Sequence, residues 1–417
     1  MKIAVIGAGI AGLGCAWALS KKHEVTLFEK NDRLGGHSRT IDAHAADNVV
    51  PVDTGFIVFN KPNYPNLVAL FDILGVSYTK SRMSFGVSQR NGAFEYGTGG
   101  ASSFFGQVQN LVRPSFWRMF FDILKFNKNA KTSLRPNMSL GELLSAMKLS
   151  DNFRDQYLLP MASSIWSTPN TKMLDYPAET FLNFFDNHGL LTLFNQPQWY
   201  TVKGGSREYV NKMEQAFAGD IQLSAEISTV RRDNGKIIVD LHTGLSKEFD
   251  KVVFACHADQ TVDLIGDIDD AEKQVLENFK FSTNQVVTHL DHSLMPKRRR
   301  CWSSWVHLDS GNDSDLVSLS YWMNNLQPLD TDTDIFVTLN SAKAPDAGKV
   351  EDEWVAEHPL FDRNAIDAQS DLKDIQGRNH TYFCGAWTGY GFHEDGLRSG
   401  IDVAEMIGAT IPWRAQT

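Results

Sequence analysis

The chain has 417 residues, 42% of them hydrophobic and 22% charged, and carries a net charge of −10 at pH 7. That length exceeds one ordinary hydrophobic core, so two intertwined domains are expected, and the acidic balance disfavours a general nucleic-acid binder. Four cysteines, Cys15, Cys256, Cys301 and Cys384, make no C-x-x-C pair and no zinc-ligand spacing; no metal site is expected, and the usage fits a reducing compartment.

In chain order, Lys2 to Ile6 reads as a strand, and Gly7, Gly9 and Gly12 follow as G-x-G-x-x-G at the start of a helix-like run. Those glycines allow a tight turn, close approach of backbone to a pyrophosphate, and close packing of helix on strand. The helix N-terminus then aims free N–H groups and partial positive charge at the phosphates. Glu24 to Glu29 reads as the second strand, and Glu29 lies 22 positions after Gly7, near the ~20 expected of an acid that accepts a ribose hydroxyl. A lone G-x-G-x-x-G is a weak signal; framed by two strands, a helix and the acid, it reads as a dinucleotide site rather than an ordinary glycine-rich turn.

Asn63 to Leu74 reads as a helix ended by Gly75, and from there to Leu193 the chain reads as helical and aromatic-rich, with Pro and Gly breaks. Leu190 to Tyr200 leads into a second glycine pair. Ile221 to Leu241 reads as strands joined at Asp233-Asn234-Gly235, and Phe249 to Ala255 as a buried strand. Val286–Leu290, Ser303–Leu308, Val317–Met323 and Ile335–Leu339 predict an antiparallel sheet. Cys15, in the first helix, and Cys256 and Cys384, at strand ends, read as small buried hydrophobes. The apolar N-terminus lacks a signal-peptide run, and no stretch approaches the ~20 apolar residues of a membrane span. The expectation is a cytoplasmic protein, with any membrane contact peripheral, on the inner face.

Four stretches together carry a family resemblance. Arg33-Leu34-Gly35-Gly36-His37-Ser38-Arg39-Thr40 resembles the R-x-G-G-R-x-x-T segment of the flavin-containing amine oxidase and protoporphyrinogen oxidase superfamily, which binds FAD. His37 stands where that segment has its second arginine, and Arg39 is the nearest substitute. Trp199-Tyr200-Thr201-Val202-Lys203-Gly204-Gly205-Ser206 is similar to the P-x-G-G segment, with Lys203 near the proline-like position. Phe383-Cys384-Gly385-Ala386, followed by Glu394-Asp395-Gly396 and Gly400, is similar to the final FAD motif. The glycine loop is the first of the four.

The resemblance implies an α/β (overall α+β) fold: a Rossmann-like FAD-binding domain of the amine-oxidase type, built from residues 1–75, 200–265 and 378–417. It would be interleaved with a substrate domain of antiparallel sheet plus helices, from 76–199 and 266–377. It further implies that FAD is held by Gly7, Gly9, Ile10, Ala11, Gly12, Glu29, Lys30, Arg33, Gly35, Gly36, His37, Ser38, Thr54, Gly55, Phe56, Gly204, Gly205, Ile227, Cys256, Gly385, Glu394, Asp395, Gly396 and Leu397. No cysteine or histidine lies in a recognisable attachment motif, so the flavin is expected to be non-covalent. Asp53 to Asn60, Val252 to Gln260 and Gly391 to Leu397 are similar to one branch, bacterial predicted NAD/FAD-binding proteins associated with cyclopropane-fatty-acid synthases, which implies chemistry on acyl chains.

Flavin performs the redox step, so the protein must orient a substrate against it and exclude competing reactions. Candidate walls are Phe56, Trp199, Tyr200, Trp387, Tyr390 and Phe392; candidate proton carriers are His393, Glu394, His257 and Lys203. The set expected to touch the chemistry is His393, Tyr390, Trp387, Lys203 and His257. Each has a plainer reading as packing, capping or solvated surface. No second framed G-x-G-x-x-G exists, because Gly97-Thr98-Gly99-Gly100 lacks the context; oxygen, a quinone-like carrier or another protein remain as electron acceptors.

Ala101 to Arg135 holds Arg113, Arg118, Lys125, Lys128, Lys131 and Arg135 against one acid, Asp122, around the run Phe116 to Phe126. It reads either as a surface for anionic headgroups or as a core helix with a solvated basic end. Lys297 to Arg300 is a second basic cluster. The expected function is an FAD-dependent oxidoreductase that oxidises or desaturates an apolar substrate, a fatty acyl chain or modified acyl lipid, by hydride transfer to flavin. The alternatives are an amine or amino-acid oxidase, and a non-catalytic lipid- or prenyl-binding protein on the same fold. The intact Gly7, Gly9, Gly12, Glu29 and Gly35-Gly36 argue against the last.

Overall fold

The computed structural model describes residues 1–45, 48–166, 173–192, 196–309 and 317–415. Lys2–Ile6 is the centre of a five-stranded sheet in which every neighbour is parallel: Asp220–Gln222, Glu24–Phe28, Lys2–Ile6, Lys251–Phe254, Thr381–Phe383. Central parallel strands are covered on both faces, hence their near-continuous apolar sequence. Ile3 and Val5 pack with the Ile10–Leu19 helix and with Leu397, Ile401 and Ala404 of the His393–Met406 helix. Ala4 and Ile6 pack on the other face with Val230, Ile237, Val239, Leu276, Phe279, Leu372 and Ile375.

That second face also draws on the 266–377 segment. The helices Asp270–Leu276 and Arg363–Ile375 bury their apolar sides beneath the parallel sheet, so the sheet's layers take in both ends of the 266–377 segment assigned from sequence to the substrate domain. The strands around the Asn234-Gly235 turn form a separate three-stranded antiparallel sheet, Ile227–Asp233, Lys236–Leu241 and Ser246–Phe249, while Asp220–Gln222 joins the parallel one.

The larger sheet has seven strands in the order Val350–Leu360, Lys280–His289, Phe336–Leu339, Ser318–Trp322, Trp305–Asp309, Phe85–Gln89, Phe94–Gly97. The four expected strands are present and pair antiparallel, but Trp305–Asp309 runs parallel to Phe85–Gln89. Residues 78–97 are therefore strand, not helix. Arg90 and Asn91 take φ of 52° and 53° and Gly92 takes 85°, a hairpin turn that reads in sequence as a mere helix break. Tyr78–Ser81 pairs with Trp199–Val202, which also takes Phe59–Asn60.

Among the described residues of the 101–192 stretch the regular elements are helices; positions 167–172 and Leu193, its expected end, lie outside the described residues. The longest, Pro114–Ser133, buries Phe116, Met119, Ile123, Phe126 and Ala130 at helical spacing. Among the described residues no helix is long and apolar enough to cross a membrane.

The first and last helices meet through glycine. A Cβ on Gly400 would collide with the Ala11 carbonyl, one on Gly396 would lie 2.9 Å from Ile10 Cγ2, and one on Gly14 would press 2.5 Å from Leu397 Cδ1. Gly400→Ala is expected to destabilise the protein by about 2 kcal/mol or more, because backbone cannot yield as a side chain can. A urea midpoint unchanged from wild type would contradict this.

Candidate cofactor and active site

Gly7 takes φ of 102°, and its N–H donates to the Phe28 carbonyl at 2.8 Å. A Cβ on Gly7 would lie 2.9 Å from the Ala255 carbonyl carbon, and one on Gly12 would overlap the Gly7 carbonyl oxygen. These two glycines fold the loop onto itself. Gly9 differs: a Cβ there meets nothing within 4 Å. The space lies at the N-terminus of the Ile10–Leu19 helix, whose residues are all buried and which has no side-chain cap. A buried helix start without a cap leaves donors in need of an acceptor, and an anion is the natural one.

Glu29, 5% exposed, stands beside this loop. Its Oε2 accepts the Ala8 N–H at 2.8 Å, and its Oε1 accepts the Asn31 N–H at 3.0 Å and side-chain amide at 2.7 Å. The carboxylate is fixed and retains lone pairs for a ribose hydroxyl. Gly35 and Gly36 close over the loop: the Gly35 N–H donates to the Ala8 carbonyl at 2.8 Å, and a Cβ on Gly36 would lie 3.0 Å from Gly9 Cα. Arg33 fastens its own turn, donating to the Gly36 carbonyl at 2.9 Å. Open space at Gly9, an uncapped helix and a fixed acid make a cradle that fits a dinucleotide such as FAD.

The other motifs close around this cradle. A Cβ on Gly55 would overlap the His37 carbonyl, to which the Phe56 N–H donates at 2.8 Å; the Thr54 N–H donates to the Arg39 carbonyl, also at 2.8 Å. Gly205 takes φ of 89° with Thr40 against it. That lets buried Asp53 accept the Ser206 N–H at 2.7 Å and the Ser206 and Thr40 hydroxyls at 2.8 and 2.6 Å, while Gln327 donates to its second oxygen at 2.9 Å. Gly204 is exposed, as are Lys30 and Lys203. The Gly385 N–H donates to Ser399 Oγ at 2.9 Å. Ile227 follows Ala225, whose N–H donates to the Glu29 carbonyl at 2.8 Å. Burial pushes the Cys256 thiol up to about 11, so it stays protonated.

The expected catalytic set separates. His393 lies within the cradle's wall, stacked on Phe56 at 3.8 Å and 8°, with Nε2 2.7 Å from the Tyr209 hydroxyl and 3.3 Å from Ser38 Oγ; Ser38 and Tyr209 also bond each other. Burial, with His37 nearby, pushes it down to about 3, so it is neutral at physiological pH. Glu394 and Asp395 do not orient it. Glu394 accepts the N–H groups of Asn66 (2.9 Å) and Leu67 (3.0 Å) and the Asn66 amide (2.6 Å), capping the Pro65–Leu74 helix. Asp395 accepts the Tyr390 and Phe392 N–H groups at 3.1 Å and pairs with Arg398 at 2.7 Å. Burial raises both acids.

Trp387 belongs to the core: it is 2% exposed, packs on Phe279 at 4.5 Å, and donates its indole N–H to the Cys256 carbonyl at 3.1 Å. Lys203 points its chemistry at solvent. Trp199 and Tyr200 lie on their strand, Tyr200 stacked on Phe59 at 5.9 Å. Tyr390 and Phe392 do face the helical layer, Phe392 stacked on Phe184 at 4.9 Å and Tyr390 at 5.9 Å from the same ring. His257 stacks on Phe281 at 4.1 Å, with Nδ1 3.5 Å from Glu357.

Sequence reading missed Asp53 as a junction, Tyr209 as the partner of His393, and a second histidine beside His37. His358 lies 5.4 Å from His37, ring to ring, with Trp354 5.9 Å from His37. Alternation of Trp354, Ala356 and His358 along the Val350–Leu360 strand is the signal that would have found them. The His37 Nε2 is buried without a hydrogen-bond partner among the described residues. Arg39 does not take the missing arginine's place, since Asp352 holds it in a bidentate pair at 2.6 and 2.9 Å.

A family model described as flavin containing amine oxidoreductase matches residues 10–408. A 4,4'-diapophytoene desaturase (4,4'-diaponeurosporene-forming) of Staphylococcus aureus (strain Newman) is 62% identical over 37 residues, which is 9% of this chain and only 7% of the desaturase. The CLA-producing fatty acid isomerase from P. acnes superposes with a TM-score of 0.69 at 15% identity over 98% of each chain. Cyclohexylamine oxidase from Brevibacterium oxydans gives 0.70 at 14% identity over 97% of this chain and 99% of its own. At such identities the likeness is one of fold.

Gly9→Ala is expected to leave the apoprotein's thermal midpoint unchanged and to weaken FAD binding at least tenfold, roughly 1.4 kcal/mol; equal affinity by fluorescence titration would refute the placement. The buried histidines predict acid sensitivity. Burial pushes His37 and His257 down to about 4 and His358 to about 3, so the unfolded chain binds more protons below its ordinary pKa of about 6.5. Their stabilising contribution is full above that pH and lost as pH falls toward 4. Asp53, raised to about 6 by burial, works in the opposite sense. Replacing His37 and His358 with Gln should therefore flatten the fall in the flavin-free protein's melting temperature between about pH 7 and pH 4.5; an equal fall would refute it.

Proposed function

Given that the chain belongs to the flavin containing amine oxidoreductase family and is an FAD-dependent oxidoreductase, we propose that it oxidises or desaturates a fatty acyl chain or modified acyl lipid by hydride transfer to the flavin. The observation that carries this reading is the character of the helical layer where it meets the flavin-motif turn. Phe392 and Tyr390 pack against Phe184, backed by Phe181, Phe185 and Trp166. Among the described residues, the buried side chains of positions 98–200 include no acid, lysine or arginine. An alkyl chain is at home beside such a surface; an ammonium group would lose its hydration there, and the neighbouring carboxylate of Asp395 is already engaged by Tyr390, Phe392 and Arg398. The names of the desaturase and of the fatty acid isomerase point the same way.

The chain's own residues then have positioning work. Asp395 holds the Tyr390 and Phe392 N–H groups, and Glu394 pins the same turn to the Pro65–Leu74 helix, so the aromatic wall is rigid. His393, neutral and clamped between Phe56 and Tyr209, offers no charge to an apolar substrate and excludes water from the cradle's wall.

Anaerobic mixing with long-chain acyl phospholipids or free fatty acids is expected to bleach the oxidised-flavin absorbance, while simple amines leave it unchanged. Bleaching by amines with none by acyl compounds would reverse the assignment.

A further inference from the structure

The Pro114–Ser133 helix has a second apolar face, exposed at Phe121 and Leu124 and half-buried at Trp117 and Phe120, which pack on Phe105 and Phe104. Opposite its buried stripe lie Trp117, Phe120, Phe121 and Leu124, with ring contacts of 6.0 Å between Trp117 and Phe120 and 5.8 Å between Phe120 and Phe121. The preceding turn, Val108–Val112, extends that face with Val108, Leu111 and Val112; the Leu111 carbonyl accepts the Trp117 indole N–H at 2.9 Å. Val112 is 82% exposed, Val108 and Phe121 each 61%. Among the described residues, five of the twelve exposed large hydrophobics (Val108, Leu111, Val112, Phe121 and Leu124) fall in this one stretch. Contiguous exposed apolar surface of this kind marks an interaction site.

Its rim says what the partner is. Arg118 and Lys128 flank Phe121 on the same side of the helix, and no acid pairs with them among the described residues. The single acid of the stretch, Asp122, is turned to the Ser150 N–H and hydroxyl at 3.0 and 2.5 Å. The second basic cluster, distant in sequence, is folded against the same region. The Arg300 carbonyl carbon lies 3.2 Å from the Cβ position of Gly106. Arg298, bound to buried Glu95 at 2.8 Å, anchors that loop to the Phe94–Gly97 strand. Arg299 is taken by Asp334, which leaves Lys297 and Arg300 exposed beside the patch. Four exposed cations without an acid partner among the described residues, on a chain of net charge −10, are complementary to a negatively charged surface with an apolar interior.

We propose that this patch docks the protein peripherally on an anionic lipid bilayer, with Val108, Val112, Phe121 and Leu124 entering the acyl boundary and Arg118, Lys128, Lys297 and Arg300 meeting the headgroup phosphates. The proposal does not depend on the substrate assignment. Trp117 and Phe121 supply the aromatic contact typical of the interface.

Flotation of the FAD-loaded protein with phosphatidylcholine vesicles, with and without phosphatidylglycerol, tests it. Binding is expected to the anionic vesicles at low salt, with release near about 0.5 M salt. Val112→Glu/Phe121→Glu and Arg118→Glu/Lys128→Glu should each weaken partitioning at least tenfold, roughly what two lost surface contacts allow. Both pairs should keep the flavin spectrum, since these side chains bury little. No binding of the wild type to anionic vesicles, or undiminished binding of the Val112→Glu/Phe121→Glu protein, would overturn the proposal. So would a dimer in sedimentation that this variant converts to monomer, because a second copy would then be the patch's cover.

Discussion

The N-terminus of the Ile10–Leu19 helix is the constraint around which the structure is arranged. It is buried, uncapped and walled by backbone: Gly7 beneath it, Gly36 against Gly9, and Gly400 against Ala11. A buried N–H left unpaired costs about 1–3 kcal/mol, and an ordinary helix would spend a Ser or Asp there to avoid that. Here the donors would meet the pyrophosphate oxygens of FAD, and the absence of side chains at the glycines lets three separate stretches reach the same few ångströms. The parallel sheet and the closing helix supply the packing that holds a strained, anion-seeking site in place.

Carboxylates do the joining. Asp53 ties the second motif to the third and, through Gln327, to the end of the Met323–Leu326 helix that follows the Ser318–Trp322 strand. Glu394 ties the last helix to the Pro65–Leu74 helix, Glu29 ties the second strand to the glycine loop, and Asp395 closes its own turn. Burial raises Asp53, Glu394 and Asp395 against the lowering effect of the N–H groups they accept. Acids fully engaged in this way are not available as general bases. The turn that carries Tyr390 and Phe392 is thus held by acids whose oxygens are already engaged.

The parallel sheet and the cofactor cradle were legible because their chemistry demands particular residues at particular spacings: a positive φ at Gly7, an empty position at Gly9, an acid at the end of the second strand. The parts that sequence reading missed are those where a side chain's role is set by a distant partner. Glu394 reads as an acid near a flavin motif, and only the fold reveals three donors from Asn66 and Leu67. Trp387 sits between glycines like a site residue, yet Phe279 and the Cys256 carbonyl claim it. The Val350–Leu360 strand was hidden because an edge strand carries charge at Glu351, Asp352, Glu353 and Glu357 and tolerates Pro359, and with it went His358. The hairpin of Phe85–Gln89 and Phe94–Gly97 was lost to the same turn signal that marks the end of a helix.

The pairing of Lys2–Ile6 with Lys251–Phe254, and of the Ile10–Leu19 helix with His393–Met406, has a consequence for biosynthesis. Lys2–Ile6 and Ile10–Leu19 are made well before the strand and helix that cover them. At bacterial-type elongation rates the opening helix, apolar on every side, waits roughly 20–80 s for its cover. Such non-local closure is slow and leaves apolar surface open. In that interval the nascent chain exposes the apolar Ile10–Leu19 segment, and arrival of the glycine-bearing His393–Met406 helix is what covers it.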